Sequence, residues 1–72
     1  MSKKAISLNP GEEYITLNVL LKITDTISTG GMAKAFLAEN TVLVNGESEN
    51  RRGRKLYRGD VIEVLNNTFV IE

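Results

Sequence analysis

The 72-residue sequence contains neither cysteine nor histidine, and each absence excludes a class of site. Without cysteine no disulfide can stabilise the chain, which favours a reducing compartment, and we expect a cytoplasmic protein. Without either residue, zinc sites of the usual type and catalysis by a histidine base are excluded. No stretch approaches the roughly 20 apolar residues that span a bilayer, so neither export nor membrane association is expected.

The chain is also too short to hold an elaborate active site. Its length predicts one small domain, which buries only about 60% of the surface that the unfolded chain exposes. The carboxylates show no catalytic pattern, because Glu12 and Glu13 are neighbours in a turn and Asp60 follows a turn glycine. No serine or lysine has an evident activating partner. We therefore predict a protein that is not an enzyme and that uses no metal and no cofactor.

Five of the nine basic residues lie within eight positions, although the net charge of the chain is zero. Arginine forks bond phosphate oxygens bidentately and lysine adds a mobile charge, so this segment is a candidate phosphate-binding loop. The alternative is a solvated loop kept polar for solubility. Gly53 favours the functional interpretation, because it allows a sharp turn that spreads the side chains around a ligand. The five residues are Arg51, Arg52, Arg54, Lys55 and Arg58.

The apolar residues change their spacing along the chain. Leu17, Leu20 and Leu21 share one helical face, and a first helix is predicted over residues 17–23 with Thr16 as its cap. A second helix is predicted over residues 30–39, with Met32 on its apolar face together with Ala33, Phe36 and Leu37.

After residue 40 the spacing becomes two, and Asn45-Gly46 is typical of a tight hairpin. The predicted fold is an α+β domain in which two short packed helices precede a small, mainly antiparallel sheet. Residues 1–14 are predicted to form an N-terminal extension with a short strand, and residues 15–72 the domain itself. The predicted strands of the domain are 42–44, 47–50, 61–65 and 68–71.

The start of the second helix is another candidate site. Ser28 or Thr29 is the expected cap, and Gly30 and Gly31 leave backbone N–H groups open to an anion, with Lys34 one turn further on. The alternative, an ordinary capped helix with a glycine contact, is favoured by the sequence alone, because a lone Gly-Gly matches no phosphate-loop motif.

Aromatic residues are few, and only one lies beside the basic segment. Tyr57 is expected to pack beneath the loop rather than to stack on a base. With four aromatic residues in the chain, recognition by shape and phosphate is a better prediction than a stacking platform.

Several segments in order resemble the alpha-L RNA-binding domain, the module named after bacterial small-subunit ribosomal protein four. Residues 17–23 look like the first helix of that family, and the Ser-Thr-Gly-Gly-Met-Ala-Lys run at 28–34 looks like its second. The strand and hairpin at 42–47 and the basic loop at 51–56, followed by the Gly-Asp-Val-Ile run at 59–62, complete the resemblance. It covers about 50 residues, from 15 to 64, and is closest to the small stand-alone bacterial members.

The resemblance implies binding of structured RNA, usually ribosomal or transfer RNA, through the second helix and the following loop. A ribosomal subunit or an assembly intermediate is the implied partner, with a role in ribosome assembly or quality control. Arg58 is included in the predicted RNA-binding site because of its charge and its position near the basic loop, and not because it matches a family motif. Carried over by position, the family's surface corresponds to Ser28, Thr29, Gly30, Gly31, Lys34, Arg51, Arg52, Arg54 and Lys55.

Two other functions stay open from the sequence. The runs at 44–47 and 59–62 also occur in similar order in ubiquitin-like sulfur carriers, but the chain lacks their terminal Gly-Gly, which leaves a protein-interaction adaptor. A DNA-binding domain is the other alternative. Lys34 alone on the second helix could read a base edge, so specific DNA recognition is poorly supported.

Overall fold

A computed structural model describes residues 3–72; Met1 and Ser2, which belong to the predicted N-terminal extension, lie outside the described residues. The described residues form two helices, α1 at Leu17–Ile23 and α2 at Ala33–Glu39, and a 3-10 turn at Gly30–Met32 leads into α2. The strands are β1 Lys3–Ile6, β2 Tyr14–Thr16, β3 Val42–Val44, β4 Glu47–Glu49, β5 Lys55–Tyr57, β6 Val61–Val64 and β7 Asn67–Ile71.

The strands form a five-stranded sheet in the order β1-β7-β6-β3-β4 and a separate two-stranded ribbon of β2 and β5. Every pair is antiparallel except β1 with β7, which is parallel. Strand and helix residues bury one common core, which includes Leu17, Leu20, Leu21, Ala33 and Leu37 from the helices. The α+β prediction is therefore confirmed, with a mainly antiparallel sheet.

The N-terminal residues contribute to this same core. β1 is the edge strand beside β7, with Ile6 opposite Ile71, and Leu8 is buried. The predicted boundary at residue 14 falls inside β2, which pairs with β5. β1 and Leu8 therefore pack against the later part of the chain.

The two turns of the sheet differ from each other. The Asn45-Gly46 hairpin is confirmed, with φ of +53° and +85° at its two residues. The prediction for the last hairpin is wrong at Leu65, which ends no strand but lies in the turn itself with φ of +56° and 62% exposed. Leucine gives no sequence indication of such a turn, since positive φ favours glycine or asparagine.

The second helix is shorter and less regular than predicted. Its first three residues form the 3-10 turn, and Thr29 precedes that turn without a side-chain capping bond. Met32 is 48% exposed, so its predicted place on the apolar face is wrong, whereas Ala33 and Leu37 are buried as predicted. The tighter 3-10 turn has three residues per turn, which rotates Met32 away from the face that α2 continues.

Candidate nucleic-acid interface

The basic loop is attached to the start of α1 through its backbone. The first N–H groups of a helix have no partner within the helix. Here Leu17 donates its N–H to the Arg54 carbonyl oxygen and Asn18 to that of Arg52, both at 2.9 Å. The predicted Thr16 cap is confirmed, because its Oγ1 accepts the Val19 N–H at 3.4 Å. The loop backbone therefore has a fixed position relative to α1.

Within the loop, residues 51–54 form a tight turn. The Arg54 N–H donates to the Arg51 carbonyl oxygen at 3.1 Å, which places Arg52 and Gly53 at the tip. Gly53 does not have positive φ, and a Cβ at this position would meet no atom within 4 Å. The turn predicted at Gly53 is present, but it does not require glycine. What the glycine provides is a bare backbone at the loop tip.

A buried carboxylate holds two of the arginines. Glu49, only 7% exposed at the end of β4, accepts bonds from Arg51 Nε at 2.9 Å and from Arg54 Nη1 at 2.7 Å. The Arg51 backbone N–H and its Nη2 donate to the same carboxylate at 3.0 and 3.2 Å. This buried charge is thus paired and fully hydrogen bonded, as an interior carboxylate must be. Four contacts from two residues fix the start of the loop.

These contacts have an electrostatic consequence for Glu49. Hydrogen bonding from Arg51 lowers its pKa from 4.5 to about 2; burial opposes the shift, and Arg54 and the Arg51 backbone N–H reinforce it. The same carboxylate raises the pKa of Arg51 above its ordinary value. Glu49 was not predicted as a site residue, because its place on a predicted strand, on the same side as the exposed Glu47, does not reveal its burial.

The five predicted basic residues therefore divide into two groups. Arg51 and Arg54 are paired with Glu49, with side chains 73% and 33% exposed. Among residues 3–72, Arg52, Lys55 and Arg58 form no ion pair. All three are exposed. Arg51 uses its Nε and one Nη2 proton on Glu49, so three of its five N–H donors remain for a ligand.

Arg58 lies apart from the loop. It follows β5 and belongs to the turn at residues 58–60, where the Asp60 carboxylate accepts the Tyr57 N–H at 2.7 Å and the Asn45 side-chain amide at 3.0 Å. Lys55 and Arg58 therefore stand at opposite ends of β5, and a ligand that contacts both must follow the ribbon.

The start of the second helical segment adjoins the loop through Asn18. The Asn18 backbone bonds to Arg52, and its side chain lies 3.4 Å from the point where a Cβ on Gly30 would be placed. Gly30 thus makes the predicted close contact with the first helix, whereas a Cβ on Gly31 would meet Thr29 Oγ1 at an ordinary contact distance of 3.9 Å. Asn18 Oδ1 is buried and accepts no hydrogen bond from residues 3–72. Around this contact Ser28, Thr29, Gly31 and Lys34 are exposed.

The ribbon of β2 and β5 carries one residue, Tyr57, whose predicted position is wrong. Tyr57 does not pack beneath the loop; it is 47% exposed and faces Tyr14, with the ring centroids 5.6 Å apart. Leu56 alone anchors the strand in the core. Both segments, Tyr-Ile-Thr at 14–16 and Lys-Leu-Tyr at 55–57, place one apolar residue between two outward-facing ones. The sequence does not show that these distant segments pair, so it does not reveal the shared outer face.

No helix among residues 3–72 is long and apolar enough to cross a membrane.

Two helices, a hairpin and a basic loop follow one another in this fold, an arrangement typical of one class of nucleic-acid-binding module. The family model described as the S4 domain matches residues 7–72, and the chain belongs to that family. This confirms the resemblance to the domain named after small-subunit protein four. It also favours that resemblance over the ubiquitin-like one.

The chain is similar to a curated protein of Bacillus subtilis (strain 168) that bears the name "Probable ribosome maturation protein RlbA". The two are 64% identical over 52 residues, which cover 72% of this chain and 73% of the relative.

Proposed function

We propose that this chain binds structured RNA, specifically ribosomal RNA, through phosphate contacts and takes part in ribosome assembly without catalysing a reaction. Membership of the S4 domain family supports RNA binding, and the name of the similar Bacillus protein supports a role in ribosome maturation. A ribosomal subunit or an assembly intermediate in the cytoplasm is the proposed partner. Quality control of ribosomes is a second process in which the same contacts would serve.

The observation that carries the proposal is the fixed position of the basic loop. Both of its backbone bonds to α1 and its side-chain bonds to Glu49 hold it before any ligand arrives. A loop that is already ordered loses less conformational entropy on binding. The chain has no net charge, so this local concentration of cations, and not a general attraction, must supply the affinity for phosphate.

The proposed contacts differ in strength. Arg52 and Lys55 provide unpaired charges on the loop, Arg51 adds its remaining donors, and Arg58 extends the cationic surface along the ribbon. Arg54 acts mainly through Glu49. A secondary contact is proposed at the second helical segment, where Lys34 supplies the charge and Ser28, Thr29, Gly30 and Gly31 supply hydroxyl and backbone donors.

The test is a binding measurement with purified ribosomal RNA and with duplex DNA of matched length, over a series of salt concentrations. Three to four phosphate contacts predict a slope of about −3 in log affinity against log salt, because each neutralised phosphate releases counterions. We expect a clear preference for RNA over DNA. Equal affinity for both would support the DNA-binding alternative, and binding to neither at low salt would contradict the proposal.

A second measurement examines the protein-adaptor alternative. Copurification from bacterial extract with and without ribonuclease distinguishes the two, because partners held through RNA are lost after digestion. Partners that survive digestion would mean that the arginines meet an acidic protein surface instead.

A further inference from the structure

The outer face of the β2–β5 ribbon is built from aromatic and cationic side chains. Ile15 and Leu56 form the inward cross-strand pair and are buried. Alternation along both strands therefore places the remaining pairs on the other face. These are Tyr14 opposite Tyr57 and Thr16 opposite Lys55. The ribbon contributes Ile15 and Leu56 to the core, whereas both tyrosines lie on the opposite face and are about half exposed. The core therefore does not account for the two tyrosines.

The two rings and the lysine are in contact with one another. The ring planes of Tyr14 and Tyr57 are tilted by 52°, and Lys55 Nζ lies 5.0 Å from the centre of the Tyr14 ring. Lys55 is diagonal to Tyr14 in the strand register, which is within reach for a long side chain. One face of Tyr14 is thus occupied by the lysine, and Tyr57 stays 47% exposed.

Tyr57 also belongs to a shallow groove that begins at the basic loop. Arg51, Gly53, Arg54 and Lys55 form the rest of its lining. A ligand in this groove contacts cations at one end and an aromatic ring at the other. A nucleotide has this composition, an anionic phosphate joined to a flat aromatic base.

We propose that the outer face of the ribbon binds one unpaired nucleobase of the RNA, which stacks on Tyr57 while the neighbouring phosphates contact the basic loop. The proposal rests on the proposed function and narrows it to RNA with a bulge, loop or single-stranded end beside a helix. Paired bases are excluded from the site, because their faces are covered by their neighbours in the helix.

The ring geometry decides where the base lies. A base held between two rings needs them parallel and about 7 Å apart, twice the usual contact distance. The tyrosine rings are closer than that and tilted, with centroids separated by 5.6 Å. The base therefore stacks on the open face of Tyr57, next to the charge of Lys55. Stacking of this kind tolerates any of the four bases, since each has a π face.

The test uses three short RNA duplexes that differ at one position: fully paired, with a single bulged adenosine, and with an abasic residue at the bulge. The bulged and abasic duplexes carry the same phosphates, so their difference in affinity reports the base alone. We expect the bulged adenosine to bind about tenfold more tightly than the abasic bulge, towards the lower end of the range for base–aromatic stacking.

Intrinsic fluorescence provides a direct readout. The chain has no tryptophan and two tyrosines, so its tyrosine emission comes only from the proposed site. We expect the bulged adenosine to change this emission and the abasic bulge to leave it nearly unchanged.

The variants separate this site from the phosphate contacts. Y57L removes the aromatic ring and is expected to abolish the preference for the base while the affinity for the paired duplex is unchanged. Y57F keeps the ring and should keep the preference. R52A should weaken binding to all three RNAs alike. Y14L, at the other ring, gives a second variant if Y57L does not fold, and should reduce the preference because it removes the support beneath Tyr57.

The outcomes are distinguishable. If the wild type binds all three RNAs equally with unchanged tyrosine emission, the base site is overturned and the RNA-binding function stands. If none of the three duplexes is bound although ribosomal RNA is, the base site alone is overturned; if ribosomal RNA is not bound either, the proposed function is overturned and the base site with it. A preference that survives in Y57L would also overturn the assignment to this ring.

Discussion

The loop at residues 51–55 and the helix start at residues 28–34 both combine glycine with basic side chains, but the fold supports them differently. The loop is held by two backbone bonds to α1 and by four bonds to the buried Glu49 carboxylate. The helix start has no side-chain cap, begins with a 3-10 turn and carries the single cation Lys34. We therefore expect the firmly held cations of the loop to contribute more to RNA affinity than Lys34 at the helix start.

The largest effect is expected when the two unpaired cations of the loop are removed together. R52A/K55A should weaken binding to ribosomal RNA about a hundredfold, because each charge-assisted contact contributes about 1.5 kcal/mol. The salt slope should fall by about two, one unit for each lost phosphate contact. Filter binding across a salt series measures both quantities.

K4A/K22A is the matched control, because it removes the same charge at the other end of α1. Lys22 lies in the last turn of that helix, while the loop is bonded to its first turn, and Lys4 borders the same distant end. We expect less than a threefold change for the control. Equal losses in both variants would mean that overall charge, and not the loop, governs the affinity.

The next effect concerns stability. E49Q should lower the free energy of unfolding by about 2 kcal/mol, somewhat less than the ~3 kcal/mol of the full pKa shift, because Arg51 is largely solvated. Urea unfolding at neutral pH measures it. R52A, at the exposed loop tip, serves as a control and should leave stability within about 0.5 kcal/mol of the wild type.

The pH dependence of this difference has a definite sign. The pKa of Glu49 is lowered on folding, so its contribution is present above pH 4.5 and is lost as the pH falls towards about 2. The gap in unfolding free energy between wild type and E49Q should therefore close over that interval. A gap that stays constant down to pH 2 would show that Glu49 stabilises the fold by packing and not by its charge.

A smaller effect is expected at the helix start. K34A should reduce RNA affinity no more than about fivefold, which corresponds to the upper end of the 0.2–1 kcal/mol of a weak, exposed charge contact. Measured beside R52A under the same salt, it tests the comparison of the two regions directly. A loss in K34A as large as in R52A would make the helix start an equal partner of the loop.

The sequence predicted those parts of the fold that depend on neighbouring residues. The cap at Thr16, the helix it begins and the Asn45-Gly46 turn each follow from local spacing, and the structure has all three. The left-handed turn at Leu65 was missed because the hairpin imposes it against the preference of the residue.

The candidate site was less predictable, since its organisation depends on contacts between distant segments. Local charge identified the basic run, but not the burial of Glu49 nor the division of the arginines into paired and free groups. The pairing of Tyr14 with Tyr57 joins residues more than forty positions apart in the chain. No periodicity within a single segment contains that information.

The smallest expected effect distinguishes a glycine with ordinary backbone geometry, Gly53, from one with positive φ, Gly59. G53A should change stability by less than about 0.5 kcal/mol, because the position has ordinary backbone geometry and open space for a Cβ. G59A is the control, since Gly59 has φ of +93° and alanine there should cost about 1 kcal/mol or more. Thermal unfolding of both variants measures the contrast.

The RNA affinity of G53A then tests whether the bare backbone at Gly53 contributes to binding. If the bare backbone at the loop tip allows a phosphate to approach closely, G53A lowers affinity although the fold is as stable as before. If affinity is unchanged, the loop acts only through its side chains, and the glycine is a neutral spacer between Arg52 and Arg54. The result decides whether the loop resembles the helix start, where backbone N–H groups are proposed as donors, or relies on its cations alone.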